Sequence, residues 1–176
     1  MVRTRVGYAG GEHPDPTYHD LGDHTEVFAL DFDPSVITYE ELLADFWSSH
    51  RATRASYSRQ YMAAAFPSAQ QLDLALASRA RIPDAETPVI ANARFYLAED
   101  YHQKYYLRHD RTLMAELAHY SPSAFVDSTA AARLNGYVAG HGSRAQLDAQ
   151  LDQLSLSPEA ERYVRGRVGA RRAQCS

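Results

Sequence analysis

Residues able to do chemistry gather early in this chain. The stretch Thr4 to Glu26 reads TRVGYAGGEHPDPTYHDLGDHTE. It begins as an alternating strand with Val6 and Tyr8 on one face and breaks at Gly10-Gly11. It then runs through a loop stiffened by Pro14 and Pro16 and re-enters a strand at Glu26. Glycine pairs admit positive φ, and proline fixes φ. The loop delivers a phenol, Tyr18, and a carboxylate, Glu26, at its far end. Such a pair can bind or polarise an oxygen atom. Spacing alone favours a plainer reading, a surface hairpin loop whose polar residues face water. The same loop holds His13, His19 and His24 with Asp15, Asp20 and Asp23. A metal site is one reading of that cluster. However, no two histidines have the i, i+4 helical spacing of a metalloprotease motif, and the prolines oppose a helix there.

The flanking elements follow from pattern. Residues 25–32, TEVFALDF, alternate, and Glu26 shares a face with Phe28, Leu30 and Phe32. A carboxylate at the edge of an apolar stripe is expected to lose hydration, which disfavours its charged form and suits a general acid. Turned to solvent, it would be an ordinary strand-end glutamate. Thr38 to Glu41 reads as a capping box opening a helix to about His50, with Leu43 and Trp47 on its apolar face. His50 reads as a satisfied helix-end histidine more readily than as a site residue. Residues 51–59 are loop, 60–66 a strand, and Pro67-Ser68 with Gln71 opens a helix to about Arg81. A further strand is expected over 87–96 and a polar-aromatic segment over 98–108. Beyond Asp110 the pattern is helical: Arg111 to His119, a helix capped by Asp127 or Ser128 and running to Tyr137, Ser143 to Leu154, and Pro158 to about Arg171.

Taken in order, several short matches identify a family. TRVGYAGG, Pro16-Thr17-Tyr18, His24-Thr25-Glu26, Asp33-Pro34-Ser35, Phe46-Trp47 with His50, Gln60-Tyr61, and Phe95-Tyr96 through Ala98-Glu99-Asp100-Tyr101-His102-Gln103 resemble the A-type peptide methionine sulfoxide reductases. The resemblance covers about residues 2–107. It implies an α+β fold, a small mixed β-sheet flanked by helices in the ferredoxin-like arrangement of that family. Residues 1–109 would form the family domain and 110–176 a helical C-terminal extension. It also implies a chemistry. A cysteine thiolate attacks the sulfur of methionine S-sulfoxide, Glu26 acts as the acid toward the sulfoxide oxygen, and Tyr18 and Tyr61 donate hydrogen bonds to that oxygen. The partners implied are oxidised proteins or free methionine S-sulfoxide, with thioredoxin as external reductant and no metal or organic cofactor.

Two departures from the family pattern bear on activity. The family's Gly-Cys-Phe-Trp segment, which carries the nucleophile, does not occur in these 176 residues. The loop 51–59 is short and holds no aspartate where the family places one. The chain is therefore expected to be N-terminally incomplete and impaired as a reductase. The alternative is a non-catalytic module that binds oxidised methionine or another small ligand. Cys175 is the single cysteine and follows Arg171 and Arg172, which would lower its pKa. A frayed tail is the favoured reading of that segment, and a resolving thiol the other.

The totals agree with a globular protein of this size. Hydrophobic residues make up 45% and charged residues 23%, and the net charge of −4 gives no nucleic-acid footprint. No apolar run approaches a membrane span. One cysteine and no charged-then-apolar leader point to a reducing cytoplasm.

Overall fold

The computed structural model describes residues 2–168. The chain divides into two compact units, Val6–Glu99, and Met1–Arg5 together with Asp100–Ser176.

The first unit is built on a three-stranded sheet. Strand β1 (Arg3–Ala9) lies between β2 (Thr25–Asp31) and the short β3 (Tyr96–Leu97). β1 and β3 pair antiparallel, with Gly7 opposite Leu97 and Tyr8 opposite Tyr96. A side chain at Gly7 would meet the Tyr96 carbonyl oxygen at 2.2 Å, so glycine is what permits this close approach. Helix α1 (Tyr39–Ser48) starts where the capping box predicts. The Thr38 hydroxyl accepts the Glu41 N–H at 3.2 Å, and the Glu41 carboxylate accepts the Thr38 N–H at 2.8 Å. Helix α2 (Leu72–Ala80) follows a 3-10 turn at Ala69–Gln71, and its Ser78 hydroxyl accepts the Trp47 indole N–H at 2.9 Å. That bond joins α1 to α2, and Leu43 on the first and Ala75 on the second are buried.

Two expected strands are largely irregular. Over 60–66 and 87–95 the only ladder contact is one parallel bridge between Ala65 and Val89, and of the second segment Tyr96 alone enters a strand. The run Met62-Ala63-Ala64-Ala65 offers no β-branched side chain to pack on a pleated surface. Pro88 cannot donate to a ladder, and Asn92 takes a left-handed φ of 57° that turns the chain. The apolar stripe expected on β2 is not a buried one either. Phe28 is 72% exposed, while Leu30 and Phe32 are half-buried.

The second unit is helical: α3 (Tyr105–Arg108), α4 (Arg111–Glu116), α5 (Pro122–Asp127), α6 (Thr129–Val138), α7 (Arg144–Asp148) and α8 (Pro158–Arg167). Five of them open on a side-chain cap, from Asp110, Ser121, Ser128, Ser143 and Ser157 in turn. Leu107, Leu113, Leu134, Leu147 and Val164 are fully buried and form one core with Phe125, Leu151 and Leu154. Buried Asp110 ties α8 to that core, accepting from the Tyr163 hydroxyl at 3.0 Å and pairing with Arg167 at 3.1 Å. Helix α5 is an addition to the sequence reading, although Ser121-Pro122 carries the same opening signal as Ser157-Pro158. The segment 143–154 is α7 followed by a 3-10 turn at Leu151–Gln153, and Leu147, Leu151 and Leu154 are all buried. The last residues of the helix expected to reach Arg171, like Cys175, lie outside the described residues. No helix among the described residues is long and apolar enough to cross a membrane.

Candidate functional site

The loop between β1 and β2 is closed by its own polar residues. Gly10 has a φ of 85°, a value that suits glycine. At Gly11 a side chain would lie 2.4 Å from the Asp23 carboxylate and 2.7 Å from the His24 backbone nitrogen. The missing Cβ lets the two ends of the loop meet. The Asp23 carboxylate accepts the N–H of Glu12 at 2.9 Å and of His13 at 3.0 Å. The bonds from His13 and Glu12 hold its pKa below the usual carboxylate value. His24, only 1% exposed, accepts the Gly11 N–H on Nδ1 at 3.2 Å, and its Nε2 donates to the His13 carbonyl at 2.8 Å. Its ring also meets Tyr96 edge-on, with centroids 5.3 Å apart. Arg59 closes the loop from outside, donating to the carbonyls of Asp23, at 2.8 Å, and of Gly10. The histidine and aspartate at the loop's base therefore serve to shape it. Among the described residues no three His, Cys, Asp or Glu side chains gather as metal ligands would.

Closed in this way, the loop presents Tyr18. Its backbone N–H donates to the Glu99 carboxylate at 2.9 Å, and the other Glu99 oxygen accepts the buried Tyr8 hydroxyl at 2.6 Å. Glu26 stands at the start of β2, half-buried. Its N–H donates to the Gln60 carbonyl at 2.9 Å, and its carboxylate accepts the Gln60 side-chain amide at 2.6 Å. Tyr61 follows directly on Gln60, so the anchor of Glu26 also places the second phenol. The Tyr61 hydroxyl lies within electrostatic reach of Glu26 and Tyr18. Partial loss of hydration first, then the neighbouring Glu26 and Tyr18, raise the Tyr61 pKa above the ordinary phenol value.

The structure thus brings Tyr18, Glu26 and Tyr61 together from a loop, a strand and a turn. Tyr18 and Tyr61 remain 39% and 53% exposed, so an incoming ligand can reach them. Two phenols beside a carboxyl group form a set of donors for one acceptor oxygen. Glu26 is not set in a buried apolar stripe as the alternation suggested, because Phe28 beside it faces solvent. Its surroundings are polar, dominated by Gln60. His50 lies apart from this group and is fully engaged, bonding the Phe46 carbonyl and the Thr87 hydroxyl at 2.9 Å each. Glu99, Gln60 and Tyr8 support the site, and sequence reasoning gave none of them that part. The available signal was adjacency: Gln60 precedes Tyr61, and Glu99 follows the strand that pairs with Tyr8.

The family described as peptide methionine sulfoxide reductase matches residues 1–133. The helical domain of selenoprotein methionine sulfoxide reductase A matches residues 124–171. The chain belongs to the peptide methionine sulfoxide reductase family. It is 40% identical over 171 residues to peptide methionine sulfoxide reductase of Drosophila melanogaster, covering 93% of this chain and 69% of that protein. To peptide methionine sulfoxide reductase A5 of Arabidopsis thaliana it is 34% identical over 151 residues, covering 79% and 59%. To the A5 protein of Oryza sativa subsp. japonica it is 30% identical over 173 residues, covering 88% and 67%. The chain spans about three-fifths to two-thirds of the length of these relatives.

Proposed function

We propose that this chain acts in the thiol-dependent reduction of methionine S-sulfoxide, and that Tyr18, Glu26 and Tyr61 bind the sulfoxide oxygen. The convergence of these three side chains is the observation that carries the reading. A sulfoxide oxygen carries much of the S–O dipole and accepts more than one hydrogen bond. As a thiol attacks the sulfur, the S–O bond breaks and negative charge grows on the oxygen. Tyr18 and Tyr61 donate to it, and Glu26 acts as the acid toward it, which is stabilisation aimed at the transition state. The oxygen passes to the attacking sulfur as a sulfenic acid and methionine leaves as the thioether. A second thiol then forms a disulfide with release of water, and a dithiol such as thioredoxin returns it to the reduced state.

The thiol is the component that the described residues do not supply. Cys175 is the one cysteine of the 176 residues and lies outside the described part. Oxidised proteins or free methionine S-sulfoxide are the substrates of this reading, no metal or organic cofactor takes part, and a reducing cytoplasm is the compartment that suits its thiol chemistry.

The test is thioredoxin-coupled reduction of a peptide bearing methionine S-sulfoxide, run on the chain, its Cys175→Ser variant and its Glu26→Gln variant. Turnover that disappears with Cys175 assigns the reacting thiol. Binding of the sulfoxide peptide without turnover assigns the chain the role of a recognition module. Absence of both turnover and binding refutes the reading.

A further inference from the structure

The hydrogen bonds that close the loop at Gly10 to His13 and at Asp23 to His24 act near its two ends. Tyr18 sits midway between them. Around it the backbone makes a local pair of bonds, Thr17 with Asp20 at 3.1 and 3.2 Å, and the Asp20 carboxylate of that turn stands 3.4 Å from His13 Nε2 in an exposed pair. Glu99 supplies a longer-range bond to the Tyr18 backbone.

Glu99 is itself well placed to hold a position. It leaves β3 directly after the antiparallel pairs Gly7 with Leu97 and Tyr8 with Tyr96. Ala98, one residue before it, donates its N–H to the Val6 carbonyl at 3.0 Å. Tyr8 is 1% exposed, and its hydroxyl meets Glu99 Oε2 at 2.6 Å, the length of a charge-assisted O–H···O⁻ bond. Oε1 then accepts the Tyr18 N–H at 2.9 Å. One carboxylate therefore joins the buried centre of the sheet to the middle of the loop, each oxygen committed to a different element.

We propose that Glu99 is the positioning residue of the oxygen-binding group: it holds Tyr18 beside Tyr61 and Glu26 through the Tyr18 backbone, and takes its own bearing from Tyr8. This rests on the reading that Tyr18 binds the sulfoxide oxygen. A glutamine at 99 retains the hold. Its amide oxygen accepts the Tyr18 N–H, and its NH₂ donates to a Tyr8 hydroxyl that turns to accept. Alanine at 99 abolishes both bonds.

Amide hydrogen exchange at Tyr18 tests the hold, and affinity for an S-sulfoxide peptide and for the same peptide with reduced methionine tests its consequence. The samples are the full chain and its Glu99→Ala, Glu99→Gln and Tyr8→Phe variants, with urea unfolding followed by Trp47 fluorescence to confirm folding. In Glu99→Ala the Tyr18 amide is expected to exchange at least tenfold faster and the sulfoxide peptide to bind about tenfold more weakly, close to 1.4 kcal/mol. Affinity for the reduced peptide stays the same. Glu99→Gln remains within about threefold of the parent in both readouts, and Tyr8→Phe falls between the two. Unchanged Tyr18 exchange in Glu99→Ala overturns the inference, as does a Gln variant as impaired as the Ala variant. A parent chain that binds both peptides equally overturns the oxygen-binding reading instead. The Tyr18 exchange rates then still decide whether Glu99 holds the loop, and fast exchange in Tyr8→Phe supports the same hold should Glu99→Ala fail to fold.

Discussion

Replacing His24 by alanine puts the loop's architecture to a quantitative test. The ring is 1% exposed and bridges the two ends of the loop, accepting from Gly11 at 3.2 Å and donating to the His13 carbonyl at 2.8 Å. His24→Ala leaves an N–H and a C=O without their partner and empties the space of an imidazole packed edge-on against Tyr96. A buried polar group left unpaired costs about 1–3 kcal/mol. Both groups are part-buried, so water recovers a share, and the lower half of that range applies to each. With the lost ring contacts, the expected destabilisation of the unit that contains the loop is about 2–4 kcal/mol. At a urea dependence of roughly 1–3 kcal/mol/M, the unfolding midpoint falls by about 1–2 M. Trp47 is the only tryptophan and lies in the same unit, so its fluorescence follows this transition directly. His24→Phe separates the contributions. It keeps a ring against Tyr96 and still breaks both hydrogen bonds, so about 1–3 kcal/mol of the loss persists. A midpoint within about 0.2 M of the parent for His24→Ala refutes the argument that this ring closes the loop.

Further outcomes follow from the helical unit and the phenols. Leu134→Ala opens a cavity at a fully buried α6 position and is expected to cost about 3–5 kcal/mol, read by chemical unfolding followed by far-ultraviolet circular dichroism. Ser157→Ala removes the α8 cap and the hydroxyl that donates to Glu116 at 2.9 Å, for a loss of about 1–2 kcal/mol on the same measurement. Lys104 is buried, donates to the Thr4 and Val126 carbonyls, and is pushed by burial down to about 8. Its depressed pKa means that the folded state binds fewer protons than the unfolded one between about pH 8 and 10.5, so its contribution to stability is fully present above that window and is lost as pH falls through about 8. Stability measured from pH 7 to 10.5 should therefore rise less steeply in Lys104→Met than in the parent. Tyr61 should be among the last phenols to ionise in an ultraviolet titration, and Glu26→Gln should bring its transition to lower pH by removing the adjacent charge.

The sequence was most legible where the determinant is local. Thr38 with Glu41, Ser143 with Gln146, and Ser157 before Pro158 each satisfy orphan N–H groups within a single turn, and the helices begin where those residues stand. The same logic was available at Ser121-Pro122 and locates α5. Strand reading was weaker because alternation records a face without saying whether anything covers it. Phe28 alternates correctly and is still 72% exposed. At 60–66 and 87–96, alanine-rich composition, Pro88 and the turn at Asn92 outweighed apolar character. Tyr18 and Glu26 were visible as a phenol and a carboxylate on a stiff loop, whereas Tyr61 entered through family resemblance alone. Their meeting depends on Gln60 reaching back to Glu26 and on Glu99 reaching across to the loop. Those bonds span 34 and 81 residues, which no local pattern encodes. His24 illustrates the same gap. In sequence it belongs to a polar cluster, and in the fold it is among the most buried side chains.

Calorimetric titration with two peptides differing only in the oxygen on methionine tests the oxygen-binding group most directly. The full chain should bind the S-sulfoxide peptide at least tenfold more tightly than the reduced one, about 1.4 kcal/mol, as hydrogen bonding to one oxygen supplies. Tyr18→Phe combined with Tyr61→Phe should erase that difference and leave affinity for the reduced peptide unchanged. Equal affinity for both peptides in the parent chain, or a preference that survives loss of both phenols, contradicts the account.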